Sequence, residues 1–268
     1  MKRVTVMAAA LAMMFAAAFL AVSGCKKTEN KVLRIGATAV PHAEILAQIA
    51  DDLDKQGIDL EIIEFTDYIT PNTALIAGDL DANFHQHIPY LESNSLWAET
   101  LVSAFGVHIE PFGLYSKKYA DINGLPDGAD IAIPNDPSNG GRALLLLQDT
   151  GLIRLKPNAG LEATDLDIVY NPKNIKFRAL EAAQLPRSLD DVDAACINGN
   201  YALEANLSPI NDTLALEDAD SPYVNIVVVR KGTENDPRIL ALRDAVISDK
   251  IRGFITNNWP NGSVVPIF

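Results

Sequence analysis

The stretch of this chain best suited to holding a charged guest is Ile133-Pro134-Asn135-Asp136-Pro137-Ser138-Asn139-Gly140-Gly141-Arg142-Ala143-Leu144. An apolar strand stops at Pro134, a polar turn follows, and a leucine-rich helix begins with Ser138 as its N-cap. Gly140 and Gly141 would let the backbone come close to a guest. The unpaired N–H groups of a helix start favour an anion. Arg142 puts a cation in the same place, which is unfavourable unless an anion lies between. A guanidinium and free amides aimed at one point would make a bidentate carboxylate clamp. The same residues also fit a surface arginine on an ordinary capped helix. A nucleotide phosphate loop is excluded, because the Gly-x-x-x-x-Gly-Lys-Ser/Thr spacing is absent.

Three further stretches place polar groups among apolar ones. In Asp81-Ala82-Asn83-Phe84-His85-Gln86-His87-Ile88-Pro89-Tyr90-Leu91, a persisting strand sets Asn83, His85 and His87 on one face by its period of two. His85, His87 and Tyr90 would then wall a cleft, with Tyr68 arriving from the preceding strand-to-helix turn. A zinc site on the two histidines would need His42, His108 or a distant carboxylate as third ligand. None of these has metal-like local spacing, so no metal is expected. In Ala194-Ala195-Cys196-Ile197-Asn198-Gly199-Asn200-Tyr201, Asn198 follows a buried strand beside a glycine. In Tyr223-Val224-Asn225-Ile226-Val227-Val228-Val229, Asn225 is one amide in an apolar strand. A buried amide left unpaired costs roughly 1–3 kcal/mol, so each asparagine either meets a ligand or bonds neighbouring backbone. Cys196 in its apolar run is expected to be a buried, inert thiol. No catalytic triad emerges: Ser138 lacks the context of a nucleophile elbow, and the carboxylates scatter over helix faces and turns.

Alternating strands and helices must position these groups. Val32–Gly36, Leu60–Phe65 and Asp81–Phe84 read as strands. They are followed by helices opened by Pro41, spanning Asn72–Ala77 and spanning Ile88–Trp97. The series resumes with strands at Ala129–Ile133, Asp167–Tyr170 and Val192–Ile197 and helices at Ser138–Thr150, Ala179–Gln184 and Tyr201–Ala205. A strand-like Glu110–Ser116 separates the two series, a return strand at Val224–Arg230 follows, and Asp236–Asn257 is helical. Such alternation implies an α/β fold with right-handed crossovers and mixed, mostly parallel sheets. Two series joined by two crossings imply two lobes, residues 32–112 with 229–268 and residues 113–228. Their strand ends border one ligand cleft.

The N-terminus fixes the compartment. Lys2 and Arg3 precede an uncharged, alanine-rich run from Val4 to Val22, and Val22-Ser23-Gly24 leads to Cys25. This is the pattern of a lipoprotein signal peptide, residues 1–24, cut before a cysteine that takes the lipid. Each buried methylene of that lipid contributes about 0.8 kcal/mol to anchoring. Residues 25–31 read as a polar tether. Cleavage leaves 244 of the 268 residues, enough for one large domain or two ordinary ones. The mature chain carries 20 basic against 35 acidic side chains, a net charge of −15, since the signal holds two of the 22 basic residues and none of the acidic ones. That balance argues against nucleic acid as a partner. With Cys25 lipidated, Cys196 is left alone and no internal disulfide forms.

The lipobox, DANFHQHIPYLE, IPNDPSNGGRALLLLQ, DAACINGNYA and YVNIVVVR together resemble the methionine-binding lipoproteins of ABC importers, the NlpA lipoprotein family. The resemblance runs over the whole mature chain in the family's order. It implies a two-lobed periplasmic-binding-protein-like fold and a monomeric, non-enzymatic receptor without cofactors. Such a receptor is lipid-anchored outside the cytoplasm of a bacterium, on the periplasmic side or cell surface, and delivers L-methionine or a related amino acid to an ABC transporter permease. By the same resemblance, Arg142 pairs with the ligand carboxylate with Asn139 nearby, and Asn198 and Asn225 fix the head group. Tyr68, His85, His87 and Tyr90 surround the side chain. Where the family has Phe-Gln-His, this chain has His85-Gln86-His87, with Phe84 able to supply apolar surface if the register shifts. The lipobox alone would equally suit a surface lipoprotein acting as an adhesin or interaction module.

Overall fold

The structure, a computed structural model, describes residues 31–218 and 221–268. The signal peptide, Cys25 and the tether up to residue 30 therefore lie outside the described residues. Lys31 is already the first residue of β1. No helix among the described residues is long and apolar enough to cross a membrane.

Along the chain come β1 (Lys31–Ala37), β2 (Ile58–Glu64), β3 (Ala82–His87), β4 (Leu101–Ile109), β5 (Gly113–Tyr115), β6 (Asp130–Pro134) and β7 (Arg154–Leu155). After them come β8 (Ile168–Tyr170), β9 (Lys176–Leu180), β10 (Ala194–Ile197), β11 (Thr213–Leu216), β12 (Val224–Arg230) and β13 (Val265–Pro266). They form a six-stranded sheet in the order β13-β4-β12-β3-β1-β2, a five-stranded sheet in the order β11-β5-β10-β6-β9, and a small β7-β8 ribbon. The fold is α/β with mixed sheets. Each sheet is parallel on one side (β2-β1-β3; β10-β6-β9) and antiparallel on the other. The antiparallel share exceeds what alternation predicts, because β4, β5, β11 and β12 are the strands by which the chain passes between sheets.

Each sheet has its own core. Leu33, Ile35, Ile45, Leu46, Ile49 and Leu53 pack with Val227, Val229 and the C-terminal helices around the first. Ile131, Leu144, Leu147, Ala194 and Cys196 pack around the second. Cys196 is free and buried, and that burial raises its thiol pKa, leaving it unreactive. Val224–Arg230 is a central strand, apolar almost throughout because both faces are covered. It lies wholly in the six-stranded sheet, so by sheet membership Val224 to Val228 go with the first lobe. A boundary at 228/229 would cut the strand.

Several local expectations are corrected. Ala179 and Leu180 end strand β9, and only a 3-10 turn, Ala182–Gln184, follows. Ile88–Trp97 divides into helices Ile88–Glu92 and Ser95–Thr100, the second capped by the Asn94 side chain. Asp236–Asn257 divides into Pro237–Val246 and Asp249–Asn258, the second capped by Ser248. The helix Pro137–Asp149 is capped by Asp136, whose carboxylate accepts from the Asn139 N–H at 2.8 Å, and not by Ser138. Proline at the first helical position makes the residue before it the cap.

The glycines of that helix serve packing within the lobe. A Cβ on Gly141 would lie 2.1 Å from the Leu161 carbonyl oxygen, and one on Gly140 3.0 Å from that of Pro134. The Leu161 contact is with backbone that cannot swing away. Gly141→Ala is therefore expected to destabilise by about 3 kcal/mol, the upper end of overpacking costs, read as a lowered denaturant midpoint with unchanged slope.

Candidate functional site

Between the two sheets lies a small, narrow cavity. All eight binding residues named from the sequence line it: Tyr68, His85, His87, Tyr90, Asn139, Arg142, Asn198 and Asn225. Gln86, Glu110, Gly199 and Asn200 complete the wall. The contributions alternate between lobes. β3 brings His85 and His87, and the helix after it brings Tyr90. The helix Pro137–Asp149 brings Asn139 and Arg142, and the end of β10 brings Asn198. Strand β12 runs between β3 and β4, setting Asn225 opposite His87 on one side and His108 on the other.

The period of two does not hold along β3. Its pairing with β12 skips at His85, so His85, Gln86 and His87 all face the cavity. Asn83 instead bonds Asn72 at 2.8 Å and Gln86 at 2.9 Å. Phe84 is fully buried in the core, edge-on to His42 and His108, and supplies no surface to the cavity. The aromatic wall is continuous: Tyr68 lies 5.7 Å from Tyr90, 5.9 Å from His85 and 4.8 Å from Tyr201, between ring centroids.

Each imidazole has a defined task. His87 Nδ1 accepts from the Tyr90 N–H at 3.2 Å, so its Nε2–H donates to Asn139 Oδ1 at 3.2 Å. Asn139 Oδ1 also accepts from Asn198 Nδ2 at 2.8 Å, while its own amide nitrogen donates to both oxygens of Asp136. His85 Nε2 lies 3.1 Å from the Tyr68 carbonyl. Burial pushes His85 down to about 4 and His87 to about 3, with Arg142 adding to the shift of His87.

Arg142 is buried, at 4 % exposure. Its Nε donates to Glu217 Oε1 at 2.9 Å, its Nη2 donates to Glu217 Oε2, and Nη2 also reaches the Glu110 carbonyl at 3.1 Å. The guanidinium lies over the rings of Tyr223, at 4.1 Å, and Phe112, at 5.0 Å. So the anion that a cation in this helix requires is supplied within the chain by Glu217, from the segment between β11 and β12. Glu110 belongs to the segment between β4 and β5. Arg142 thus ties both crossings together. Its Nη1 makes no hydrogen bond among the described residues.

Beside Arg142, and also lining the cavity, stands a residue the sequence did not single out. Glu110 is 5 % exposed, and its Oε1 lies 2.7 Å from His108 Nε2 and 3.4 Å from His42 Nε2. Burial lifts its pKa above the ordinary carboxylate range, while His42, Arg142 and the Asn200 N–H pull it back. Gly199 is required here, since a Cβ would lie 2.7 Å from the Cβ of Glu110. The donor atoms of His42, His108 and Glu110 lie within 4.8 Å of one another, a set a divalent ion could use. In this structure the imidazole Nε2 atoms meet the carboxylate directly. The signal in the sequence was a lone acid closing the apolar run Val107-His108-Ile109-Glu110. Further bonds join the lobes beside the cavity: Tyr68 OH donates to Asn200 Oδ1 at 2.5 Å and Tyr201 OH to the Thr66 carbonyl at 3.3 Å. The lining combines a guanidinium, a carboxyl group, side-chain amides and an aromatic wall, suited to a small zwitterion with a soft apolar side chain.

A family model described as NlpA lipoprotein matches residues 33–268. The membrane lipoprotein TpN32 of Treponema pallidum is 40 % identical over 267 residues, which are 99 % of each chain. The D-methionine-binding lipoprotein MetQ of Salmonella typhimurium is 44 % identical over 91 % of this chain and 93 % of its own. Among solved structures, a nutrient binding protein from Burkholderia cenocepacia bound to methionine superposes with a TM-score of 0.83. It is 47 % identical over 88 % of this chain and 100 % of its own.

Proposed function

This chain belongs to the NlpA lipoprotein family, and on that footing we propose that it is the membrane-anchored, extracytoplasmic substrate-binding protein of an ABC importer, holding methionine between its lobes for delivery to the permease. The observation that carries the reading is that Arg142 and Glu110 line one cavity whose wall also includes Tyr68, His85, His87 and Tyr90. The ligand carboxylate meets Nη1 of Arg142 and the amide of Asn225, and the ammonium meets Glu110. The thioether packs on the rings, each contact contributing roughly 0.3–1.5 kcal/mol. A desolvated zwitterion needs both charges answered, and this cavity answers both. A lipid on Cys25 holds the receptor beside the permease, and closure of the lobes around the guest is the state the permease recognises. The protein binds and releases without chemistry at the ligand.

Native mass spectrometry of the protein purified without refolding is expected to show one bound methionine. Calorimetry with L- and then D-methionine should give one-to-one binding with Kd below about 1 µM, or roughly −8 kcal/mol. The absence of a small guest together with no binding heat from either enantiomer would overturn the assignment.

A further inference from the structure

We propose that His42 is a positioning residue that turns the amide nitrogen of Asn225 toward the cleft, so that the guest meets a hydrogen-bond donor there and a free carboxylate is preferred over its amide. The inference rests on reading the cavity as an amino-acid site. His42 lies behind the cavity at 1 % exposure, its Nδ1 2.8 Å from Thr38 Oγ1 and its Nε2 3.0 Å from Asn225 Oδ1. These distances alone allow two arrangements. Either Nε2–H donates to the amide oxygen, or a bare Nε2 accepts from an amide turned over.

Glu110 decides between them. Its Oε1 also faces His42 Nε2, at 3.4 Å, and a carboxyl oxygen that bears no hydrogen only accepts. His108 shows that this oxygen carries no hydrogen. His108 Nε2 is 2.7 Å from the same oxygen, whereas its Nδ1 is buried without a partner. Orphaned buried N–H groups are rarer than orphaned lone pairs. The His108 proton therefore sits on Nε2 and points at Oε1 as an acceptor, and the Asn200 N–H is a further donor to the same carboxyl group. A bare Nε2 on His42 would then face that oxygen lone pair to lone pair. Nε2 of His42 carries the hydrogen and Thr38 donates to Nδ1. Burial keeps the ring neutral, its pKa pushed down to about 3. The oxygen of Asn225 is thus committed behind the wall, and Nδ2 is the atom left for the guest. No other hydrogen bond among the described residues fixes which end of this amide faces inward.

The test compares L-methionine with L-methioninamide by calorimetry on the full chain. His42→Leu is expected to weaken methionine binding about tenfold and methioninamide less than about threefold, shrinking the acid-to-amide ratio. Thr38→Val, a milder change, shifts the ratio the same way, and His42→Gln, which keeps a donor toward Asn225, restores it. Equal losses for both ligands would mean a merely structural role and overturn the proposal. A second readout needs neither ligand nor variant. Nitrogen NMR of the imidazoles in the wild-type protein should show His42 protonated at Nε2 and bare at Nδ1, and the opposite tautomer overturns the proposal. If wild type binds no methionine, the amino-acid reading falls, while the tautomer still decides the orientation of Asn225.

Discussion

Arg142→Ala removes most ligand binding, an expected loss of about 2–5 kcal/mol, or roughly 30- to 5,000-fold in Kd. The size follows from where the side chain lies. The guanidinium is buried, held from behind by Glu217, roofed by Tyr223 and Phe112, and bonded to the Glu110 carbonyl. Its position costs nothing further when a carboxylate arrives, so truncation removes a preorganised charge from a desolvated site. Arg142→Lys keeps the charge and loses the planar fork, since lysine cannot hold Glu217 and the ligand at once. It should fall between wild type and alanine. Because Glu217 loses its partner in both variants, melting must be followed beside calorimetry to show that the lobes remain folded. Near wild-type affinity in a folded Arg142→Ala protein would mean that Arg142 does not hold the ligand carboxylate.

Much of that site was legible in the sequence because the residues sit at strand ends and helix starts, where local pattern and ligand placement coincide. Val224–Arg230 is an example, an apolar strand with one amide whose bounds agree with the structure. Arg142 declared its need for an anion through its place in the helix, but the anion came from Glu217, 75 residues on, beyond any local signal. Glu110 was hidden for the same reason. His108 is only two positions away, but His42 reaches Glu110 through the pairing of distant strands within the first sheet, and Gly199 comes to it from the other sheet. Strand β4 escaped because Gly106 and His108 interrupt its apolar run and it begins directly after a helix, with no turn residues between. Strand β9 carries Lys-Phe-Arg, an edge alternation short enough to be taken for the start of a helix. Asp136 as cap, by contrast, was available from Pro137 alone.

Acid should unfold this protein well above the usual carboxylate range, because all four histidines of the chain are buried and neutral. Desolvation first of all lowers His42, His87 and His108 to about 3 and His85 to about 4, against 6.5 when exposed. A group whose folded pKa is depressed contributes stability that is complete above its unfolded pKa and is lost as pH falls toward the folded one. The unfolded chain takes up these protons from about pH 6.5 downward and the folded chain does not. Each such histidine contributes a slope of up to about 1.4 kcal/mol per pH unit, and four together make the loss steep. Glu110, Asp136 and Glu204, raised by burial, act in the opposite sense, since the folded state protonates them first. They soften the fall, and protonating Glu110 also weakens the acceptor that meets His108. The denaturant midpoint is therefore expected to be level between pH 8 and pH 7 and to drop sharply from about pH 6 to pH 4. His85→Phe tests the cause, since it removes one titrating ring that bonds only the Tyr68 carbonyl. That variant should show a shallower acid limb, by about one proton's worth of slope. A midpoint unchanged down to pH 4.5 in the wild-type protein would mean that the four rings are not held neutral by burial.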